Sequence, residues 1–120
     1  MKVKDIDFFF KDGLWTAIIS GKKFDLEMVS DYKAVVKILE HDFSEVSDAL
    51  GKYFKYKYVV LSALDFDSVY WDALALRWLE SGNVGLDEDI CVALKKKLDH
   101  GWFNQHNRHV ALKLLKRIGL

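Results

Sequence analysis

The segment FNQHNRHVALKLLKR, Phe103 to Arg117, gathers the side chains best suited to chemistry. His106 and His109 stand three apart with Arg108 between them. Asn104, Gln105 and Asn107 lie around them, and Lys113, Lys116 and Arg117 follow. Three chemistries suit such residues. Histidines at i and i+3 share a helix face and could begin a metal site, with His100 and Asp99 across a turn to complete it. A base, an acid and a cation for transition-state charge are the parts of a phosphodiester-cleaving centre. The basic run could follow a phosphate backbone. Against metal stand the missing HExxH and Cys/His spacings. Against catalysis stands the adjacency of His106, Arg108 and His109 on one helix, where a working site converges from several elements. The alternative is structural: these side chains cap or hydrogen-bond a helix–helix junction.

Little else in the chain resembles chemistry. There is no Gly-rich phosphate loop, no GxSxG and no Walker motif. Cys91, the one cysteine, allows neither an internal disulfide nor a cysteine-based zinc site. It lies beside the buried stripe of its helix with acids upstream, which disfavour a thiolate, and reads as a small core residue.

Charge is balanced overall, with 18 bases and 18 acids, but unevenly placed. Residues 25–90 carry 14 acids against six bases, and residues 91–120 carry seven bases against Asp99 alone, so the two regions stand near −8 and +6. Lys113, Lys116 and Arg117 share a helix edge that Lys95, Lys96 and Lys97 could extend into a nucleic-acid surface. Aromatic residues in that part are confined to Trp102 and Phe103, and the acidic middle argues against a general nucleic-acid binder. Asp65, Asp67 and Asp72 surround one helix start, and Asp87, Glu88 and Asp89 the next. Such groups suit a basic protein partner and speed its capture in a salt-dependent way.

The elements that must position these residues read as helices. A length of 120 residues suggests one domain, residues 1–120, and a hydrophobic fraction of 51% excludes disorder. With no proline, breaks fall to glycine and polar clusters. Asp67 caps a helix beginning at Ser68, with Trp71, Leu74, Ala75 and Trp78 as its stripe, widened by Leu76 and Leu79. Ser81-Gly82-Asn83 ends it. Asp87, Glu88 and Asp89 open the next, with Ile90, Leu94 and Leu98 buried, basic residues near its end and Gly101 past it. Asn104 caps the last helix, whose stripe is Ala111, Leu114, Leu115 and Ile118. Further upstream, Tyr32, Val35, Val36 and Leu39 keep helical spacing behind Ser30 or Asp31. Asp42 and Glu45 form a capping signal for one helix through Val46, Leu50, Phe54, Tyr58, Leu61 and Leu64, with a break possible at Gly51. Ile6, Phe9, Phe10, Leu14, Ile18 and Ile19 also fit a helix, although Lys11-Asp12-Gly13 could be a hairpin turn. The expected fold is all-α: a bundle or short solenoid-like stack of five to six helices, with a possible small β-hairpin at the N-terminus.

Two segments carry a family resemblance. LSALDFDSVYWDALALRWLESG, Leu61–Gly82, followed by WFNQHNRHVALKLLKRIG, Trp102–Gly119, resembles the helical immunity proteins of bacterial contact-dependent inhibition and related polymorphic toxin systems. The shared features are a Tyr-Trp pair opening a buried helix and a Gln-x-x-Arg-His start to the last helix, here Gln105, Arg108 and His109. The likeness is confined to the C-terminal half. It implies a cytosolic protein that binds and blocks one cognate basic toxin domain, often a nuclease, without catalysis or cofactor. Gln105, Arg108 and His109 would then be structural, packed near Trp71 or Trp102. The residues that face the toxin would be acids and exposed aromatics, and charge nominates Asp65, Asp67, Asp72, Glu80, Asp87 and Glu88. A cytosolic setting agrees with an N-terminus whose apolar run is broken by Asp5, Asp7 and Asp12 and with the lack of an apolar stretch long enough for a membrane. The expected state is a monomer or weak dimer. The other readings are a helical nucleic-acid-binding or regulatory adaptor module using Lys95, Lys113, Lys116 and Arg117, and an enzyme built on His106, Arg108 and His109.

Overall fold

The first 26 residues form a sheet. The computed structural model describes residues 1–119 and begins with an antiparallel meander of β1 (Lys2–Val3), β2 (Ile6–Lys11), β3 (Leu14–Ile19) and β4 (Lys22–Leu26), in that spatial order. Six helices follow: a 3-10 helix at Val29–Glu40, then α1 (Phe43–Leu50), α2 (Tyr56–Leu64), α3 (Val69–Glu80), α4 (Glu88–Asp99) and α5 (Gln105–Arg117). The all-α expectation is therefore corrected to a mixed α/β fold. Turn chemistry decides the difference. Lys11 pairs with Leu14 and Ile19 with Lys22, which leaves the two-residue loops Asp12-Gly13 and Ser20-Gly21. All four loop residues have positive φ, between 51° and 79°. That backbone matches the right-handed twist of the flanking strands and favours a hairpin. The spacing from Ile6 to Ile19 that suggests a helix is two strands of period two: Ile6, Phe8, Trp15 and Ala17 are buried.

The segment after the sheet keeps a tighter period than an α-helix. Tyr32, Val35 and Ile38 are fully buried, Val36 and Leu39 line the neighbouring row, and Lys37 is exposed. A burial period of three suits the three residues per turn of a 3-10 helix. The Asp31 carboxylate accepts from the backbone N–H groups of Glu27 at 3.0 Å and Met28 at 2.7 Å, which fixes the helix start.

The expected single helix from Asp42 to Leu64 is two. Gly51 at φ 80° ends α1, and the chain then carries Phe54 into the core. Phe54 packs edge-on against Phe8 at 5.5 Å, Trp15 at 5.3 Å and Tyr32 at 5.6 Å, ring to ring. Those contacts join sheet to helices and reward the break. Asp42 makes no side-chain cap bond, and Glu45 turns instead to His41 at 3.2 Å.

The C-terminal helices start near the expected caps. Ser68, rather than Asp67, caps α3 by accepting from Trp71 N–H. Asp87 accepts from Ile90 N–H and Asn104 from Asn107 N–H. After α4, Gly101 at φ 67° lets the Trp102 N–H reach back to the Lys97 carbonyl at 2.9 Å, a Schellman closure. Helices α2 and α4 run the same way. Lys57 near the start of α2 bridges Asp87 and Asp89, while Lys97 near the end of α4 donates to the Leu64 carbonyl. The buried apolar residues form one cluster from Val3 to Leu115. Among the described residues no helix is long and apolar enough to cross a membrane.

Candidate interaction surface

The His-Arg segment presents both of its histidines to solvent. Gln105, His106 and His109 are exposed on the first turns of α5. Arg108 donates to the Leu98 carbonyl at 3.4 Å. His100 lies apart, with Nδ1 at 2.8 Å from the Lys96 carbonyl and its ring stacked on Trp102 at 4.5 Å. Among the described residues no three His, Cys, Asp or Glu side chains converge as a metal site requires. Arg108 thus bonds a backbone group of the junction as expected, while Gln105 and His109 are exposed and two other residues share the role. Asn104 caps the helix, and Asn107, 1% exposed, donates its side-chain amide to the Val69 carbonyl at 3.3 Å.

The basic face is thinner than the sequence suggests. Lys95, Lys96, Lys113, Lys116 and Arg117 are exposed, but Lys97 is turned inward and 4% exposed. Its ammonium lies 2.9 Å from Asp72, 2.9 Å from the Leu64 carbonyl and 5.2 Å from the Phe103 ring centre. This removes Asp72 from the residues expected to face a partner: at 2% exposure its carboxylate belongs to a buried ion pair. Burial pushes the Asp72 carboxyl above its ordinary range, against the opposing pull of Lys97. The pattern was present in the sequence. Asp72, Ala75, Leu76 and Leu79 share one helical stripe, as do Ile90, Leu94 and Lys97, and a charge in each stripe marks a buried pair.

The other five acids are exposed, in separate places. Asp87 caps α4 and binds Lys57 at 2.8 Å, with Glu88 beside it. Glu80 lies at the far end of α3. Asp65 and Asp67 lie at the α2–α3 corner, where the chain also leaves Phe66, Val69 and Tyr70 exposed at 39%, 55% and 53%. Lys33 pairs with Asp65 at 2.8 Å and lies over the Phe66 ring at 5.2 Å. Asp67, at φ 53°, has no base within ion-pair distance among the described residues. Tyr70 donates to Glu40, which also accepts from Lys4 at 2.6 Å, tying the corner to the 3-10 helix and the first hairpin. A shallow cleft beside the corner joins Asp65 and Asp67 to Lys96 and the exposed Trp102. Charge alone pointed to Asp65 and Asp67. The exposed aromatics expected beside such acids are here Phe66, between them, and Tyr70, three residues past Asp67. Comparison with protein-family models, with curated proteins and with solved structures finds no match to this chain.

Proposed function

We propose that the chain is an immunity-type binding protein that neutralises a cognate toxin domain by direct contact, and that the α2–α3 corner is its contact surface. The observation that carries this reading is the run of exposed Phe66, Val69 and Tyr70 interleaved with Asp65 and Asp67 at one corner. Aromatic anchors bounded by charge have the composition of an interface centre. The unpaired carboxylate of Asp67 favours a basic partner and steers its approach. In this reading the protein is bacterial and cytosolic, uses no cofactor and performs no catalysis.

The test begins with capture of the tagged chain's partner from its native cell extract at moderate salt. The reading expects one basic protein domain, retained one-to-one and inhibited by an equimolar amount of this chain. Asp67→Lys should slow association at low salt. Phe66→Ala should speed dissociation by about ten-fold or more, as loss of an interface anchor does. Retention of nucleic acid instead of protein would move the function to the basic face of α4 and α5. A retained domain whose rates ignore both substitutions would move the contact surface elsewhere.

A further inference from the structure

We propose that the outer face of the β-sheet is a two-fold docking surface for a second copy of this chain. The strand register places Asp7, Ile18 and Lys23 in one rung, Phe9, Thr16 and Asp25 in the next, and Lys11 with Leu14 in a third. These alternate with the buried Ile6, Phe8, Trp15, Ala17 and Leu26, so they point away from the helices. Phe9 is 53% exposed and lies in diagonal reach of Leu14 and Ile18. The face thus carries an uncovered apolar strip along its middle.

The charges around that strip identify the occupant. Along β2 the order is acid then base, Asp7 and Lys11. On β4 the order is base then acid, with Lys23 in the rung of Asp7 and Asp25 one rung short of Lys11. A strongly acidic or basic partner would meet repulsion at two of the four positions. A second copy, turned by a two-fold axis along β3, exchanges β2 with β4. Asp7 then faces Lys23 of the second copy, Phe9 faces Asp25, which Lys11 also reaches on the diagonal, and Leu14 and Ile18 meet their own counterparts. Closed two-fold pairing of this kind needs a self-complementary patch. Among the described residues the one ion pair between these charges is loose and exposed: Lys23 to Asp25 at 3.8 Å. Thr16 donates to Asp25 at 3.3 Å, and Lys2 lies outside the patch on β1, beside Asp7.

Three strands at about 4.8 Å spacing and six residues at about 3.3 Å span roughly 300 Å² per copy. Stable complexes bury about 800 Å² per partner, so the dimer is weak and depends on concentration. Sedimentation equilibrium of the full chain from about 10 μM to about 1 mM reads the association directly. The expected result is a mass rising from monomer toward dimer. Phe9→Asp, which sets a carboxylate against Asp25 of the second copy, and Lys23→Asp, which sets one against Asp7, should each weaken association by about ten-fold. The double exchange Asp7→Lys with Lys23→Asp restores the facing pair and should recover most of that loss, which separates a charge effect from a folding defect. A chain that stays monomeric throughout overturns the proposal. So does a dimer insensitive to Phe9→Asp, or a double exchange no better than Lys23→Asp alone.

Discussion

Removing one member of the Asp72–Lys97 pair should damage the fold, while removing both should not. At 2.9 Å and an effective dielectric of about 20, the two charges attract by roughly 6 kcal/mol. Withdrawing each ion from water costs several kcal/mol, so the intact pair nets close to zero. Asp72→Ala leaves the Lys97 ammonium, 4% exposed, with the Leu64 carbonyl as its one remaining hydrogen-bond acceptor. The expected loss is about 3–5 kcal/mol. At about 3–5 °C per kcal/mol for a chain of this length, Tm falls by about 10–20 °C. Asp72→Leu with Lys97→Met fills the same space with apolar atoms and should come within about 1 kcal/mol of the parent, or exceed it.

The raised pKa of Asp72 points the same way. The folded state holds this proton more tightly than the unfolded chain, whose group ionises near 3.8. The favourable contribution is complete below pH 3.8 and fades as pH rises through the folded value. The ionised carboxylate is thus a burden that Lys97 offsets. Urea unfolding of the parent, Asp72→Leu, Lys97→Met and the double variant closes a thermodynamic cycle. A single variant no worse than an exposed substitution such as Glu88→Ala, or a double variant as unstable as the worse single, would refute the account.

Tyr32 is fully buried, and its hydroxyl has no hydrogen-bond partner among the described residues. Tyr32→Phe should therefore raise stability by about 1 kcal/mol in urea melts. Burial, with the charges of Tyr58 and Asp31, pushes the Tyr32 phenol up to about 12 from its ordinary 10.0, so stability is lost as pH rises from 10 toward 12. The variant should show less of that loss, with Tyr56 keeping its own share. At the acid end, hydrogen bonds from Lys4 and Tyr70 hold the Glu40 carboxyl below its ordinary 4.5. That stability is present above pH 4.5 and lost as pH falls; Glu40→Gln should flatten the acid limb, and an unchanged slope would contradict the contact. Asn107→Ala should cost about 1–3 kcal/mol through its buried amide contacts. His106→Ala and His109→Ala should stay within about 0.5 kcal/mol. A large loss at His109 would return that side chain to the helix junction.

The helical half was legible because its signals are local. Asp87 and Asn104 bond to N–H groups three residues ahead, and Gly101 closes α4, all features that a short window contains. The sheet was harder because its period competes with another. Ile6, Phe9, Phe10, Leu14, Ile18 and Ile19 satisfy a helical spacing on paper, and the correct reading requires giving Asp12-Gly13 and Ser20-Gly21, eight residues apart, more weight than the spacing. The break at Gly51 answers to a tertiary demand, since Phe54 must reach Phe8 and Trp15, which are about 40 residues away in the chain. Site residues failed for a related reason. Acids usually lie at the surface, and what marks Asp72 as buried is the helical stripe it shares with Leu76 and Leu79.

The two proposed surfaces do not compete for space. The 3-10 helix packs on the inner face of the sheet, and Tyr70 at the corner bonds to Glu40 of that helix. A copy seated on the outer face therefore leaves the corner open. Together the proposals specify a complex of two copies of this chain with two toxin domains, dissociating to one of each on dilution. Dimerisation at the sheet adds no contact to the toxin, so Phe9→Asp should halve the mass of the complex at high concentration and leave inhibition unchanged. Asp67→Lys should do the reverse, slowing capture of the toxin and leaving self-association intact. A variant at either surface that alters both readouts would mean that the two faces are coupled through the 3-10 helix. Because Glu40 holds Lys4 of the first hairpin and Tyr70 of the corner at once, Glu40→Gln is the substitution that would then break the coupling.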